Sequence, residues 1–162
     1  MRVLIACGGS GGHIYPALAF AEEVRATCTR ADILFVTSAR RIDRRIFEQR
    51  SCRIRRVAAV PLPERWGWRS ALFPLRACWA VVEACALVRT EQPDAVVAFG
   101  GYLAAFYAVA ARLCRRPCIV HEQNVAPGRA NLFASRLASV VAVSFERTSA
   151  RLDRKSTRLN SS

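Results

Sequence analysis

The sequence predicts an α/β domain built on a parallel sheet. Short apolar runs typical of buried strands alternate along the chain with stretches of helical periodicity. Strands that alternate with helices in this way form parallel βαβ units with right-handed crossovers. With 162 residues, 52% of them hydrophobic, the chain suits one domain with a full core. We therefore expect a Rossmann-like parallel sheet with helices on both faces.

The strands are predicted from short apolar runs bounded by polar residues or glycine. They cover residues 2–6, 33–36, 54–60, 95–99, 118–120 and 140–143. The helices lie between them, at 17–28, 40–50, 71–91 and 103–114, and a further helix is opened by residues 127–131. In the first helix Leu18, Ala21 and Val24 recur at helical spacing, and in the third Pro74 lies near the start, where a helix tolerates proline.

The turn after the first strand is the most informative segment. Residues 8–12 read Gly-Gly-Ser-Gly-Gly and are followed by His13 and a proline-started helix; we call them the glycine turn. Glycines let backbone N–H groups approach a ligand, and the following helix directs its unpaired amides at that ligand. The spacing matches neither the dinucleotide fingerprint nor the P-loop. The turn indicates a cradle for an anion such as a diphosphate, or alternatively a tight turn that only packs strand against helix.

Two later strands also end in loops that lead into a helix. Residues 99–102 read Phe-Gly-Gly-Tyr, and residues 121–124 read His-Glu-Gln-Asn. Loops at the carboxyl ends of the strands of an open parallel sheet face one crevice, where ligands bind. Both histidines of the chain, His13 and His121, fall in these loops. We expect them beside one site, with a merely solvated or capping histidine as the alternative.

In these three motifs, followed by Gly128 and Asn131, the chain resembles the amino-terminal half of the MurG family. These are the UDP-N-acetylglucosamine transferases of bacterial peptidoglycan synthesis. The resemblance covers residues 1–148 and implies the N-terminal, acceptor-binding domain of a family 28 type, inverting glycosyltransferase with the GT-B fold. Its reaction would move N-acetylglucosamine from UDP to undecaprenyl-pyrophosphoryl-N-acetylmuramyl-pentapeptide, converting lipid I to lipid II. Because the carboxy-terminal domain of such enzymes is missing, the resemblance implies a fragment that is inactive alone.

The resemblance also implies roles for the loop residues. His13 would be the base or a contact to the acceptor phosphates. The donor side would be contacted by Ser10, where the family usually has Thr, and by Gly11, Gly12 and Asn124, and the acceptor diphosphate by Gly100, Gly101, Tyr102 and Asn131. We expect Glu122 to orient a loop. No DxD pair occurs in the sequence, so neither a metal nor another cofactor is expected, and amide dipoles would act on the diphosphate instead.

The cysteines and the net charge narrow the class of protein. Seven Cys residues show no CxxC pair and no zinc-finger spacing, which indicates reduced, mostly buried thiols in a cytosolic protein without a signal peptide. The formal net charge of +13 favours an anionic partner, either nucleic acid or a membrane surface. Since no nucleic-acid motif accompanies the charge, a nucleic-acid binder is the weakest interpretation and no such partner is expected.

Two segments bear on a membrane. Residues 95–111 carry no formal charge, but glycines interrupt them, so a strand, a loop and a helix describe them better than a membrane span. Residues 61–79 mix arginines with large apolar side chains that suit the headgroup boundary of an anionic membrane, or alternatively the core. The candidates for membrane contact are Trp66, Trp68, Leu72, Phe73 and Trp79. The resemblance favours the membrane and implies a peripheral protein on the cytoplasmic face of the bacterial inner membrane.

The end of the chain differs in kind from the rest. Over residues 149–162 the apolar periodicity stops and four basic residues stand against one acidic residue. This tail is either a flexible basic arm or foreign sequence at a truncated end, and we favour the second interpretation.

Two functions stay open for the chain. It is the acceptor-binding half of a transferase that also needs the missing domain, or a non-catalytic phosphate- or nucleotide-binding subunit that pairs with a separate chain.

Overall fold

The computed structural model describes residues 1–48, 50–58, 60, 71–149, 152 and 156–158. Their strands are β1 (Arg2–Ala6), β2 (Asp32–Ser38), β3 (Arg53–Val57), β4 (Ala95–Ala98), β5 (Cys118–Glu122), β6 (Val140–Val143) and β7 (Ser156–Arg158). Their helices are α1 (Gly11–Thr27), α2 (Arg41–Glu48), α3 (Phe73–Glu91), α4 (Gly101–Leu113), α5 (Arg129–Leu137) and α6 (Glu146–Ser149). The strands pair in parallel in the order β3-β2-β1-β4-β5-β6-β7, which confirms the predicted fold class.

Helices cover both faces of this sheet, and successive side chains of β1 point alternately into the two core layers. Val3 and Ile5 belong to the core beneath α1 and α2, together with Phe35. Leu4 and Ala6 belong to the core beneath α3, α4 and α5. Because successive side chains of a strand point to opposite faces, one apolar strand supplies both layers. This arrangement explains why the central strands β1 and β4 are continuous apolar runs in the sequence.

The order of the strands creates a crevice at the middle of the sheet. From β1 the chain moves outward through β2 and β3, and then returns to add β4 on the other side of β1. The connection that leaves β1 therefore leads to β2, and the connection that leaves β4 leads to β5, on the opposite side of this central pair of strands. Ligands of open α/β sheets bind at such a reversal, outside the carboxyl ends of the strands. The glycine turn follows β1, so the topology positions it at this crevice.

Some boundaries differ from those predicted. Helix α1 begins at Gly11, not at residue 17, so the prediction of a proline-started helix is wrong and Pro16 lies inside the helix. Proline lacks an N–H donor, so one carbonyl of this helix has no partner within it. Strand β5 continues to Glu122, which puts His121 inside the sheet, paired with Ala142 of β6. The sequence predicts no element in the tail, yet β7 covers the edge of β6 there.

The thiols are less buried than the sequence predicts. Cys7, Cys85 and Cys118 are buried, but Cys78 is exposed and the other three are half-buried. The expectation of mostly buried thiols is therefore wrong, because Cys28, Cys52 and Cys114 are only half-buried and Cys78 is exposed on α3. All seven are free.

Three of the five side chains proposed for membrane contact, Leu72, Phe73 and Trp79, fall within the described residues, at or near the start of α3. Leu72 is 54% exposed and Trp79 is 71% exposed, so the alternative that they belong to the core is wrong for these two. Phe73 is half-buried, and Trp66 and Trp68 lie outside the described residues. Within the described ranges, we find no helix that combines the length and the apolar character needed to cross a bilayer.

Candidate functional site

The loops that follow β1, β2, β4 and β5 converge on one cavity of about 460 Å³. We call it the glycine-loop cavity. It is lined by Gly8, Gly9, Ser10, His13, Arg40, Gly101, Tyr102, Glu122, Asn124, Ala126, Gly128, Arg129, Ala130 and Asn131. The volume lies within the range of about 300–1,000 Å³ that holds small ligands. The sequence correctly predicts that the glycine and polar loops share one crevice.

Three helices point their amino termini at this cavity. Helix α1 begins at Gly11, α4 at Gly101 and α5 at Arg129. The N-cap residues of these helices make no side-chain capping hydrogen bond, and no acidic residue occupies any of their first turns; at α5 the backbone N of the N-cap residue Gly128 donates to the carboxylate of Glu122. Each helix terminus carries about half a positive charge on its unpaired amides. Their convergence produces a positive electrostatic environment suited to an anion with several oxygen atoms.

Two guanidinium groups add positive charge to the cavity wall. Arg129 is the first residue of α5, and Arg40 follows β2, with its Nη1 3.5 Å from the carbonyl oxygen of Gly9. The sequence motifs assign neither residue a role. The sequence could have indicated Arg40 by its position, because it comes just after the carboxyl end of a strand, where residues of this fold reach the crevice.

The carboxylate of Glu122, in the cavity wall, already accepts hydrogen bonds from neighbouring residues of the chain. Glu122 is 1% exposed. Its Oε1 accepts hydrogen bonds from the backbone N and the Nδ2 of Asn124 at 2.9 and 3.0 Å. Its Oε2 accepts from the backbone N of Gly128 at 3.2 Å and from Nδ2 of Asn131 at 2.8 Å. These four bonds fit the loop-orienting role predicted for Glu122, since its oxygens are turned to the protein rather than to a ligand.

A second buried carboxylate holds the glycine turn in the same manner, and sequence reasoning missed it. Asp43 of α2 accepts from the backbone N of Gly9 at 3.1 Å and from Ser38 at 3.0 Å (backbone N) and 2.5 Å (Oγ). It is fully buried. Asp43 therefore ties the glycine turn to the end of β2. The signal in the sequence was an acidic residue within an otherwise basic stretch.

His13 lies between the glycine turn and the Gly100 backbone. A Cβ atom at Gly100 would come within 2.6 Å of His13 Nδ1, and Gly100 has a φ of +94°, which side-chain-bearing residues rarely adopt. Only glycine fits this position next to the ring. Burial lowers the pKa of His13, although the nearby Glu122 and the Phe99 backbone oppose this effect. The imidazole is therefore neutral at pH 7.

The side chain of Gln123 holds His13 from the opposite loop. Its Nε2 donates to the carbonyl oxygen of Phe99 at 2.9 Å and to that of Gly12 at 3.1 Å, and it contacts Nδ1 of His13. In an uninterrupted helix the Gly12 carbonyl would accept from the N–H of residue 16. Pro16 has no such group, so Gln123 supplies the donor.

The remaining predicted residues divide into two groups. His13, Ser10, Asn124, Gly101, Tyr102 and Asn131 line the cavity as expected. Gly11, Gly12 and Gly100 do not line it, so α1 adjoins the cavity through Ser10 and His13, and Gly100 lies against the ring of His13. His121 is also absent from the lining; its ring packs on Phe99 with centroids 5.1 Å apart, and its Nε2 lies 3.3 Å from Ser144 Oγ. The expectation that both histidines adjoin one site therefore holds for His13 alone.

An apolar groove of about 620 Å³ lies beside the cavity, between α3, α4 and α5. Its walls include Phe73, Val81, Phe106 and Phe133. Tyr102, Arg129 and Ala130 line both spaces, so the groove adjoins the glycine-loop cavity. The two together suit a ligand that has an anionic part and an apolar part.

Known proteins are similar to this chain in sequence and in fold. The model of the glycosyltransferase family 28 N-terminal domain matches residues 3–143. The UDP-N-acetylglucosamine--N-acetylmuramyl-(pentapeptide) pyrophosphoryl-undecaprenol N-acetylglucosamine transferase of Alcanivorax borkumensis is 37% identical over 145 residues, which are 89% of this chain and 40% of the relative. The protein of the same name from Bacillus subtilis is 33% identical over 146 residues, 90% of this chain and 40% of the relative. The chain thus spans about two fifths of these relatives.

Solved structures agree with the sequence comparison. The crystal structure of Acinetobacter baumannii MurG has a TM-score of 0.82 and 27% identity, covering 99% of this chain and 46% of that one. The UDP-GlcNAc 2-epimerase of Methanocaldococcus jannaschii has a TM-score of 0.66 at 14% identity, covering 94% of this chain and 42% of that one. At such low identity the second likeness concerns the fold alone.

Proposed function

The chain belongs to glycosyltransferase family 28 through its N-terminal domain, and from that premise we propose that it is the acceptor-binding half of an N-acetylglucosamine transferase. The comparisons confirm the resemblance to the MurG family. The donor of the complete enzyme is UDP-N-acetylglucosamine, and its acceptor is undecaprenyl-pyrophosphoryl-N-acetylmuramyl-pentapeptide. In the complete enzyme a carboxy-terminal domain completes the donor site, and residues 1–148 supply the acceptor side.

The observation that carries the proposal is the convergence of three helix N-termini on one cavity. The acceptor named for the relatives contains a diphosphate. Such a group carries several negative oxygens, and backbone amides at helix termini stabilise them without a metal ion. Arg40 and Arg129 supply formal charges beside those amides.

Within this proposal the residues divide by side. Gly101, Tyr102 and the two arginines contact the acceptor diphosphate, and Asn131, whose Nδ2 donates to Glu122, supports this side of the cavity. Ser10 and Asn124 face the donor, and the amides of Gly11 and Gly12 contribute through the terminus of α1. His13 stands next to both. Transfer of the sugar requires loss of a proton from the acceptor hydroxyl and stabilisation of charge on the departing UDP.

The lipid of the acceptor suggests how the domain approaches a membrane. Leu72, Leu75, Trp79 and Val82 are each more than half exposed and recur every three or four positions, so they form one stripe along α3. We call them the α3 stripe. With the net charge of +13, the stripe supports peripheral binding to an anionic membrane, which for this reaction is the cytoplasmic face of the inner membrane. The apolar groove would then lie between the cavity and the lipid.

The test joins residues 1–148 to the carboxy-terminal domain of the Alcanivorax borkumensis relative. We expect the joined protein to transfer labelled N-acetylglucosamine from UDP to the lipid-linked acceptor, and the chain alone to transfer none. A joined protein that is folded and binds UDP but transfers nothing would contradict the proposal. Transfer after mixing the two domains as separate chains would favour the alternative of a subunit that pairs with another chain.

A further inference from the structure

Two buried side-chain atoms near the end of β5 have no hydrogen-bond partner among the described residues. They are Nδ1 of His121 and Oε1 of Gln123. A polar atom withdrawn from water without a partner costs free energy, and most buried polar atoms in proteins are paired. A histidine nitrogen can donate a hydrogen bond and an amide oxygen accepts one, so each atom is a candidate partner for the other.

The side chains of His121 and Gln123 lie on the same face of the sheet, because they are two positions apart at the end of a strand. Both reach Phe99, the residue that follows β4. The ring of His121 packs on the ring of Phe99 with centroids 5.1 Å apart. Nε2 of Gln123 donates to the carbonyl oxygen of Phe99 at 2.9 Å. The two side chains are thus neighbours that share one contact residue.

The orientation of the Gln123 amide leaves its oxygen in need of a donor. The amide nitrogen donates to two backbone carbonyl oxygens, those of Phe99 at 2.9 Å and of Gly12 at 3.1 Å. A reversed amide would place Oε1 against both of these oxygens, which only accept hydrogen bonds. With the nitrogen turned to the two carbonyls, Oε1 remains as an acceptor that they cannot satisfy.

We propose that neutral His121 carries its proton on Nδ1 and donates it to Oε1 of Gln123, which makes His121 a positioning residue for the glycine-loop cavity. Nε2 of His121 then accepts from the hydroxyl of Ser144, whose Oγ is 3.3 Å away. A hydroxyl donates and accepts, so Ser144 is compatible with either tautomer, whereas the amide oxygen only accepts and requires this one. The inference holds whatever ligand the cavity binds, so it goes beyond the proposed function.

The bond matters to the cavity because Gln123 connects several of its parts. Through its amide nitrogen Gln123 joins the loop after β5 to the first turn of α1 and to the end of β4, and it contacts His13, which lines the cavity. His121 is absent from the lining, so it acts through Gln123 and not by touching a ligand. Burial lowers the pKa of His121, although Glu122 and the side chain of Gln123 oppose this effect, so the neutral ring is the form present at about pH 7.5.

The tautomer can be measured directly on this chain. Long-range correlation spectra of the ¹⁵N-labelled imidazole distinguish a protonated nitrogen from an unprotonated one. The chain has two histidines, so the signals that disappear in a His121→Asn variant are those of His121. We expect Nδ1 to be protonated and Nε2 unprotonated at about pH 7.5, above the ordinary histidine pKa. A protonated Nε2, or an equal mixture of the two tautomers, would overturn the proposal without any measurement of activity.

Two further variants test whether Gln123 is the partner of His121. Gln123→Leu removes the acceptor of the Nδ1 proton, and we expect a mixture of the two tautomers. Ser144→Ala is the matched control, since it removes only the partner of Nε2, and we expect Nδ1 to stay protonated. If Gln123→Leu kept the wild-type tautomer, or if Ser144→Ala lost it, Gln123 would not be the residue that His121 holds.

Two substitutions of His121 separate positioning from packing. His121→Asn loses the ring, but its amide nitrogen can take the place of Nδ1 and donate to Gln123. His121→Leu keeps an apolar contact with Phe99 and offers no donor. We expect the imidazole signals of His13 to stay at their wild-type positions in His121→Asn and to shift in His121→Leu. Equal shifts in the two variants, or a larger shift in His121→Asn, would show that His121 acts by packing on Phe99 and would overturn the proposal.

Binding of inorganic diphosphate extends the same comparison to the cavity. We expect His121→Leu to bind diphosphate about 3- to 10-fold more weakly than the wild-type chain, as expected for the loss of one neutral hydrogen bond that supports the site, and His121→Asn to bind it as the wild-type chain does. Equal weakening in both variants would contradict the positioning role. If the wild-type chain bound no diphosphate, the proposed function would be contradicted, and the tautomer of His121 would still decide this inference.

Discussion

The side chain of Gln123 donates a hydrogen bond to the backbone carbonyl of Gly12, 111 positions earlier in the chain. The bond exists because Pro16 leaves this carbonyl without a donor from its own helix. It joins the loop after β5 to the first turn of α1. Pro16, which the sequence predicts to start a helix, thus allows a hydrogen bond between two parts of the site that are distant in the chain.

This relationship predicts a coupling between Pro16 and Gln123. Gln123→Leu leaves the carbonyls of Gly12 and Phe99 without this donor, and we expect the free energy of unfolding to fall by about 1–3 kcal/mol. Pro16→Ala restores an N–H that can donate to Gly12, so it should recover about 0.5–1.5 kcal/mol in the Gln123→Leu background. Urea unfolding of the four proteins in this cycle measures the coupling. Strictly additive effects would show that the two residues do not share the carbonyl.

A second prediction concerns the glycine next to His13. Gly100→Ala forces a left-handed φ on a residue with a side chain and drives its Cβ against Nδ1 of His13, so we expect a loss of about 1–3 kcal/mol in unfolding free energy. Gly128→Ala is the matched control. Gly128 has a φ of −69°, and a Cβ added there would meet nothing within 4 Å, so this change should cost at most about 0.5 kcal/mol. Equal losses in the two variants, measured by urea unfolding, would contradict the tight packing of His13 on Gly100.

The two histidines predict a dependence of stability on pH. Burial lowers the pKa of both His13 and His121, so the folded chain keeps them neutral at pH values where the unfolded chain takes up protons, below about 6.5. The unfolded state then binds more protons, and the free energy of unfolding falls as the pH falls, by at most about 1.4 kcal/mol per pH unit for each histidine.

Urea unfolding between about pH 7.5 and about pH 5.5 measures this dependence. His121→Gln should make the slope shallower, since one of the two groups is removed. An unchanged slope in that variant would show that His121 does not contribute.

The α3 stripe predicts membrane binding without a role in stability. Leu72→Ser and Trp79→Ser together should reduce sedimentation with anionic vesicles, and because both side chains are exposed the thermal midpoint should change little. Phe145→Ser is the control, since Phe145 is 48% exposed and lies outside the stripe. Equal loss of vesicle binding in the control would argue against a specific surface.

The sequence predicts the fold and the meeting of the loops because both depend on local patterns. Apolar runs mark the strands, and a parallel sheet then brings the glycine turn, Gly101 and Asn131 to one edge. Asp43 and Gln123 are different. Their roles depend on backbone atoms that are distant in sequence, the amide of Gly9 and the carbonyl of Gly12. No periodicity carries that information, so these supporting residues emerge only from the folded chain.

The proposed acceptor-binding role of this domain is tested most directly by the Michaelis constants of the joined transferase. We expect Arg129→Gln to raise the KM for the lipid-linked acceptor about 10- to 100-fold, the loss of a charge-assisted hydrogen bond, and to leave the KM for UDP-N-acetylglucosamine unchanged. Arg112→Gln, an exposed arginine in the last turn of α4 and outside the cavity lining, is the matched control and should change neither. A raised KM for UDP-N-acetylglucosamine with an unchanged KM for the acceptor would contradict the account.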